Sequence, residues 1–584
     1  MDVRAWGGAA VAALALVACS SSPPGDSRTG PVPPQELADD AVATPASPRI
    51  TLAFAGDVHF EAQLQRLLPR QGALGPVSRA FKRADVAMVN LETPVTDHPT
   101  RDPKELEAPG NRYHFRTSPQ ALDVLADAGV DVVSVANNHA GDYGQAGLAD
   151  TLAAGRAKGV AMVGAGRDLD DAFTPHRVSV DGVDVAFLAA DAVFREGRSR
   201  VWAAGADTPG LAAARETRPD ALLAAVEAAA DAGDVVVVYL HWGLEQQACP
   251  SQRQRLLARN LADAGADVVV GSHSHVVGGS GWSGDTYVGY GLGNFLWYHD
   301  RQPGTGVLTL TVDRDGVVGD AWAPARIAPG GKPRPLTGTA RSAAVAAWQD
   351  RRRCTGLAAT RGEAQAEDPA YSSAIQRIDA DLRRRMRTSH GPGCPVPLRD
   401  LRYLRMTHRD FDGRARTGEM VVHRRFARGV TGVFRDLYDA GWPIARMRLV
   451  DDYGGDDDRS MAANNSSGFN CRRVAGQQGW SDHAYGAAID LNPVQNPYVR
   501  PGSIAPPAGR RYAAIDRGSS APVPPGVIRV EDLPVEAFAR LGWGWGGYWV
   551  SSKDWQHVAA PVRPAPSRPA PPPRRARPAG RGTG

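Results

Sequence analysis

The residues richest in chemistry lie near the C-terminus. They are Ser481-Asp482-His483-Ala484-Tyr485-Gly486-Ala487-Ala488-Ile489-Asp490, followed by Asp554-Trp555-Gln556-His557. His483, Asp490 and His557 make a three-ligand set with a fourth position left open. Catalytic zinc uses such a set, because the open position holds water or substrate. Gly486 permits a tight backbone between the first two ligands. Asp554, three residues before His557, is placed to act as general base and to take the proton of a water that attacks an amide carbonyl. The nearby Trp543, Trp545, Tyr548 and Trp549 read as core or cleft wall.

A second set of polar clusters is spread over the N-terminal half. Gly56-Asp57-Val58-His59 supplies Asp-x-His. Asn90-Leu91-Glu92 supplies a carboxylate, and Asn137-Asn138-His139 an amide and an imidazole. His241 stands alone before Trp242-Gly243, and His273-Ser274-His275 closes the series. Oxygen and nitrogen donors in this mixture suit two borderline-to-hard cations that share a bridging carboxylate.

Each of these five clusters follows a short run of β-branched and apolar residues: 50–55, 86–90, 130–136, 235–240 and 268–271. Helical segments are expected between them at 119–128, 145–158, 219–232 and 251–264. Buried strands alternating with helices predict a layered α/β domain. Such sheets carry their sites beyond the C-terminal ends of the strands, where all five clusters fall. Residues 305–326 read as two closing strands around a turn at 313–316. A helix at 339–353 would cap this domain. Residues 354–369 read as a polar linker and 371–387 as one basic helix, so that 354–393 joins the first domain, 49–353, to a second at 394–560. No internal repeat is present.

The C-terminal motif resembles that of the zinc D-Ala-D-Ala carboxypeptidases and L-alanyl-D-glutamate endopeptidases, the VanY-like peptidases. Their pattern is Ser-x-His-x-x-Gly-x-Ala-x-Asp, then an acid and a histidine three residues on. Every fixed position of the first part is filled here, and the resemblance spans about residues 394–560. It implies that His483, Asp490 and His557 ligate Zn2+, that Asp554 is the base, and that an arginine steadies the carbonyl oxyanion, for which Arg472 is the candidate. The family's acid is often glutamate; this chain has the shorter Asp554.

The N-terminal clusters resemble the calcineurin-like metallophosphoesterases, and specifically the CapA family linked to poly-γ-glutamate capsule synthesis. The motifs are Asn-Leu-Glu at 90–92, Asn-Asn-His-x-x-Asp at 137–142, His-Trp-Gly at 241–243, Gly-Ser-His-x-His at 271–275 and Gly-Leu-Gly-Asn-Phe at 291–295. The resemblance covers about residues 49–327. It implies that Asp57, His59, Glu92 and His275 hold one divalent metal, that Glu92, Asn138, His241 and His273 hold another, and that His139 donates a proton to a leaving group. The chain departs from the metallophosphoesterases in offering Glu92 as the bridge in place of the Asp of Gly-Asp. Together the resemblances imply an α/β four-layer metallophosphoesterase-like domain plus a smaller α+β zinc peptidase domain. The implied function is hydrolysis of peptidoglycan stem peptides beside a domain that handles poly-γ-glutamate or a related anionic wall or capsule polymer. Two alternatives stay open. One is a polymer-binding scaffold whose peptidase only remodels the local wall; the other is a phosphoesterase in the first domain.

At 584 residues the chain has room for two to three domains, and 43% hydrophobic residues suffice for their cores. The formal charge is +4. Six arginines and no acids crowd into residues 561–584, which read as a disordered Pro/Arg-rich tail, so the rest is close to neutral. That balance excludes a basic nucleic-acid reader, and no nucleic-acid partner is expected. Residues 1–19 read as a lipoprotein signal peptide: Arg4, a short apolar run, then Leu16-Val17-Ala18-Cys19, with Cys19 the lipidation site. The apolar run is far short of the ~20 residues of a spanning helix. Residues 20–48, rich in Pro, Ser and Ala, read as a disordered tether. The expected location is outside the cell, lipid-anchored to the outer face of the membrane and cell wall-associated. Cys249, Cys354, Cys394 and Cys471 remain, and export permits disulfides in any of three pairings.

Overall fold

The computed structural model describes residues 47–561, apart from 106–109, 111, 194–201, 217–218, 367–368, 475 and 519–522. The signal peptide, Cys19, almost all of the tether and the arginine-rich tail from 562 lie outside the described residues.

The apolar runs of the N-terminal half build two sheets. In the first, Ile50–Val58, Val86–Leu91, Val132–Ser134 and Ala161–Val163 lie side by side and parallel. The hairpin Gly304–Asp313 and Gly316–Ile327 continues the sheet beyond Ile50–Val58, and Pro333–Pro335 ends it. The second sheet is centred on Val183–Ala192, Val235–Trp242 and Val268–His273, also parallel. The sheets share a core in which Phe54, Met88, Val185, Val237 and Val270 are buried together. The outer face of the first sheet is covered through Leu122, Leu125 and Leu148, from helices Gln120–Asp127 and Gly144–Lys158. Leu222, Val226, Leu257 and Leu261, from helices Asp220–Asp231 and Gln252–Asp263, cover the second. Strands apolar on both faces read as unbroken Val/Ala runs, not as alternation. Each valine among them, fully buried, contributes about 1.5–3 kcal/mol.

Two expectations for the middle of the chain give way. Residues 354–366 fold back on the first domain and do not form a linker. Cys354 is bonded to Cys249, Ala358 and Trp282 exchange backbone hydrogen bonds of 2.9 and 3.0 Å, and helix Arg361–Ala366 follows. Residues 371–387 are not one helix. Ser373–Arg377 is a strand antiparallel to Leu401–Arg409, and Asp379 then caps the short helix Ala380–Arg385 by accepting the Leu382 N–H at 2.8 Å. The edge of a neighbouring sheet and a capping aspartate outweigh the helix propensity of the arginines.

In the C-terminal half, Ser373–Arg377, Leu401–Arg409 and Ala415–His423 form a sheet against helix Ala427–Asp439, with Leu404, Met420, Val430 and Phe434 buried between them. Leu256 of helix Gln252–Asp263 is buried in the same cluster, and Arg253 on that helix ion-pairs with Glu536. Two small sheets follow. One joins Ala488–Asp490, His557–Ala559 and Gly544–Trp545; the other joins Ser503–Ala505, Tyr498–Arg500 and Lys553–Asp554. Of the three cysteine pairings left open by sequence, the chain adopts Cys249–Cys354 and Cys394–Cys471. Among the described residues no helix is long and apolar enough to cross a membrane.

Candidate metal centres

The C-terminal centre is assembled by one ladder and one turn. Strand Ala488–Asp490 runs antiparallel to His557–Ala559 with Asp490 directly opposite His557, so the carboxylate and the second imidazole are cross-strand neighbours. His483 lies in the 3-10 helix Asp482–Tyr485, which ends at Gly486 with φ of +61°. A Cβ on Gly486 would stand 2.6 Å from the backbone nitrogen of His423. Gly486→Ala is therefore expected to lower the stability of this half by about 1–3 kcal/mol through backbone strain alone. Thermal unfolding followed by tryptophan fluorescence measures it, and an unchanged transition would show that the turn tolerates a side chain.

The three side chains converge. His483 Nδ1 donates to the carbonyl of Gly468 at 2.6 Å, which turns Nε2 inward. That Nε2 is 3.2 Å from Asp490 Oδ2 and 3.3 Å from His557 Nδ1, and His557 Nδ1 is 3.0 Å from Asp490 Oδ1. All three residues are buried, and their donor atoms lie within 4.8 Å of one another. Burial works against a charge on His557, yet Asp482 and Asp490 outweigh it and raise its pKa to about 10. The pocket thus draws a positive charge to its centre. Two imidazoles and a carboxylate at these separations fit one zinc ion.

Asp554 is half-buried beside this group, on the short strand Lys553–Asp554. Its Oδ1 has no hydrogen-bond partner. Burial, reinforced by Asp490 and opposed by His557, pushes its pKa up to about 6. The Trp549 ring, 42% exposed, lies 5.6 Å from that of His557 and forms a wall of the site. Arg472 flanks the ligand helix through its carbonyl, which accepts the Ser481 N–H at 3.1 Å. Its guanidinium is turned to Asp457, 2.6 Å away, so the structure pairs the expected oxyanion donor with a carboxylate.

The N-terminal centre gathers at the C-terminal ends of strands from both sheets. Two donor groups share Glu92: Glu92 with His241 and His273, and Asp57 with Glu92 and His275. Asn138 Oδ1 is 2.9 Å from His241 Nε2, and Glu92 Oε1 is 3.5 Å from the same nitrogen. Asn90, opposite Asp57 in the ladder, donates to Asp57 Oδ1 at 2.8 Å. His273 and His275 both have positive φ, +89° and +58°. Strain of this kind concentrates at functional sites. His139 lies 3.9 Å from Glu92 Oε1 and is oriented by Asp142, 2.8 Å from its Nδ1. Burial holds His273 well below the usual imidazole range, in the neutral form that binds metal, and burial, with Lys104 beside it, lowers His139 as well. Burial also acts to lower His275, but Glu245, Glu92 and Asp57 prevail and raise it to about 9.

His59 departs from its expected role. Its ring lies outside both donor groups. Nε2 faces the Tyr298 N–H at 3.3 Å, and Nδ1 faces the Glu61 N–H at 3.0 Å. Phe115, Trp297 and Tyr298 enclose the ring at 4.9, 4.2 and 4.8 Å. A neutral imidazole accepts at one nitrogen only, so one of these N–H groups is bonded and the other is a contact, and in this structure the ring lines the site wall outside the two donor groups. Lys104, buried and 2.8 Å from Asp142, was not foreseen from sequence. A lone lysine in a Pro-rich loop carries no signal that it will be buried against a carboxylate.

Residues 51–299 match the family described as bacterial capsule synthesis protein PGA_cap. Over 282 residues the chain is 32% identical to the PGA biosynthesis protein CapA of Bacillus subtilis (strain 168), covering 45% of this chain and 70% of that protein. The chain belongs to the CapA family. The capsule biosynthesis protein CapA of Bacillus anthracis is 31% identical over 287 residues, 45% of this chain and 66% of its own length. A probable polyglutamine synthesis accessory protein of Mycobacterium tuberculosis (strain ATCC 25618 / H37Rv) is 33% identical over 196 residues, 33% of this chain and half of its own. In this CapA-family chain residues 475–560 also match the family described as D-alanyl-D-alanine carboxypeptidase, so a carboxypeptidase-like domain is joined to the CapA domain. That second match contains His483, Asp490, Asp554 and His557.

Proposed function

We propose that this protein is a zinc metallopeptidase of the cell wall fused to a CapA domain that handles an anionic polymer. The observation that carries the reading is the convergence of His483, Asp490 and His557 with Asp554 beside them. Zinc held by these three ligands would polarise a substrate carbonyl and acidify water. Asp554 takes the proton of the attacking water and returns it to the leaving amine. Trp549 walls the cleft. The substrates are peptidoglycan stem peptides, cut at a D-Ala-D-Ala or an L-Ala-D-Glu bond. Incubating the purified protein with stem peptides, and following new amino groups with and without a zinc chelator, tests the reading. Chelator-sensitive cleavage supports it; no cleavage of either bond ends it.

For the CapA domain we read a two-ion centre bridged by Glu92, within a four-layer metallophosphoesterase-like arrangement. Asp57 and His275 hold one ion and Asn138, His241 and His273 the other, with His139 the proton donor. The two relatives named CapA are described by capsule or PGA biosynthesis. Poly-γ-glutamate and the stem peptide share γ-linked glutamate, so the two domains face related chemistry. Glu92→Ala is expected to remove both ions of this domain and to leave the peptidase zinc.

The reading places the protein outside the cell, held at the membrane by lipid on Cys19. Cys19→Ala is expected to release it to the medium or leave its leader uncleaved. Membrane fractionation and lipid labelling check this, and unchanged membrane association would remove the anchor.

A further inference from the structure

The two ring nitrogens of His557 meet different surroundings. Nδ1 faces the other candidate ligands, 3.0 Å from Asp490 Oδ1 and 3.3 Å from His483 Nε2. Nε2, across the ring, is buried and makes no hydrogen bond within the protein. The carboxylate of Asp482 stands 3.9 Å from it. Asp482 is the first residue of the 3-10 helix Asp482–Tyr485, and its carbonyl accepts the Ala487 N–H at 3.3 Å. Its backbone is thus fixed, while its side chain, 40% exposed, keeps room to turn. One turn of chain carries both a candidate ligand, His483, and a carboxylate beside the second imidazole. In the motif Asp482 fills the position between Ser481 and His483, which the family pattern leaves open.

An imidazole that binds metal through Nδ1 carries its proton on Nε2. A buried N–H without an acceptor costs about 1–3 kcal/mol. Metal-binding histidines give this second N–H to a carboxylate, a carbonyl or water. The bond fixes the tautomer and the direction of the ring, and it makes the ligand nitrogen more basic. Two carboxylates lie at the two ends of the His557 ring: Asp490 at Nδ1, within the ligand set, and Asp482 at Nε2. The separation at Nε2 exceeds a hydrogen bond by about 1 Å, which rotation of a partly exposed side chain closes.

We propose that Asp482 is a positioning residue of the peptidase centre, its carboxylate accepting the Nε2–H of His557 and holding Nδ1 toward the ion. The proposal rests on the zinc reading of this centre. Loss of such a partner weakens metal binding by about 10–100-fold. The test compares full-length wild type, Asp482→Ala and the nearly isosteric Asp482→Asn. The zinc Kd is measured by competition with a chelator, and nitrogen-15 spectra of the histidine rings report the filling of this centre. Asp482→Ala is expected to raise the Kd by about 10–100-fold, and Asp482→Asn, which keeps an acceptor without the charge, to fall between. In zinc-loaded wild type the Nε2–H of His557 is expected as a slowly exchanging signal, lost in Asp482→Ala. The Nδ1–H of His483, held by the Gly468 carbonyl, should persist in all three proteins. A Kd for Asp482→Ala within threefold of wild type, or a His557 Nε2–H signal that survives in it, would overturn the proposal. Loss of the His483 signal as well would overturn it too, by making Asp482 a support for the whole turn. If wild type binds zinc here and cleaves no stem peptide, the peptidase reading fails on its own and the Kd series still decides Asp482. No zinc at His483 and His557 in wild type overturns both.

Discussion

Asp554→Ala is expected to lower turnover of stem peptides by about 10²–10⁴-fold while the zinc content stays at the wild-type level. The separation of the two effects follows from geometry. The three atoms that converge on the centre belong to His483, Asp490 and His557, and Asp554 is not among them. One oxygen of its carboxylate is buried and unpaired, and its pKa is pushed up to about 6, so it is ionised at neutral pH and able to take a proton. Asp554→Glu should retain far more activity than the alanine variant, since a longer arm reaches the same water. Full turnover in Asp554→Ala would take this residue out of the mechanism.

His483→Ala is expected to remove one zinc per chain and to bring peptide hydrolysis to background, at least as low as Asp554→Ala. Two ligands, Asp490 and His557, would remain for an ion that takes three protein ligands at a catalytic site. The loss also strips the Gly468 carbonyl of its partner and frees the turn before Gly486. Elemental analysis of the variant beside wild type gives the count. Retention of all the wild-type zinc would place the ion elsewhere. Metal loaded into the CapA domain should be unaffected, because the candidate ligands Asp57, Glu92, His241, His273 and His275 share no residue with this centre.

What the sequence makes legible here depends on how local the determinants are. The strand runs before each polar cluster are buried on both faces, so their composition alone betrays them, and the clusters that follow are carried to one end of the sheets. His483 and Asp490 are seven residues apart on a turn and a strand, a spacing visible without coordinates. The remainder was decided by distant partners. Residues 371–387 look helical by composition, but the open edge of Leu401–Arg409 takes 373–377 as a strand. The disulfides join residues 105 and 77 positions apart, a choice made by packing. His59 has the right type at the right spacing for a ligand, yet rings from residues 115, 297 and 298 claim it for the wall. Lys104 carries no motif at all, and only its burial against Asp142 singles it out.

The most direct test of the central claim is a zinc titration of chelator-treated full-length protein, with hydrolysis of stem peptides and bound metal followed together. The account predicts that activity is absent without metal and returns on filling a single zinc site per chain, and that the Asp490→Ala protein, given the same zinc, recovers none. Stem-peptide hydrolysis that survives complete removal of metal, or that returns equally well in Asp490→Ala, would contradict it.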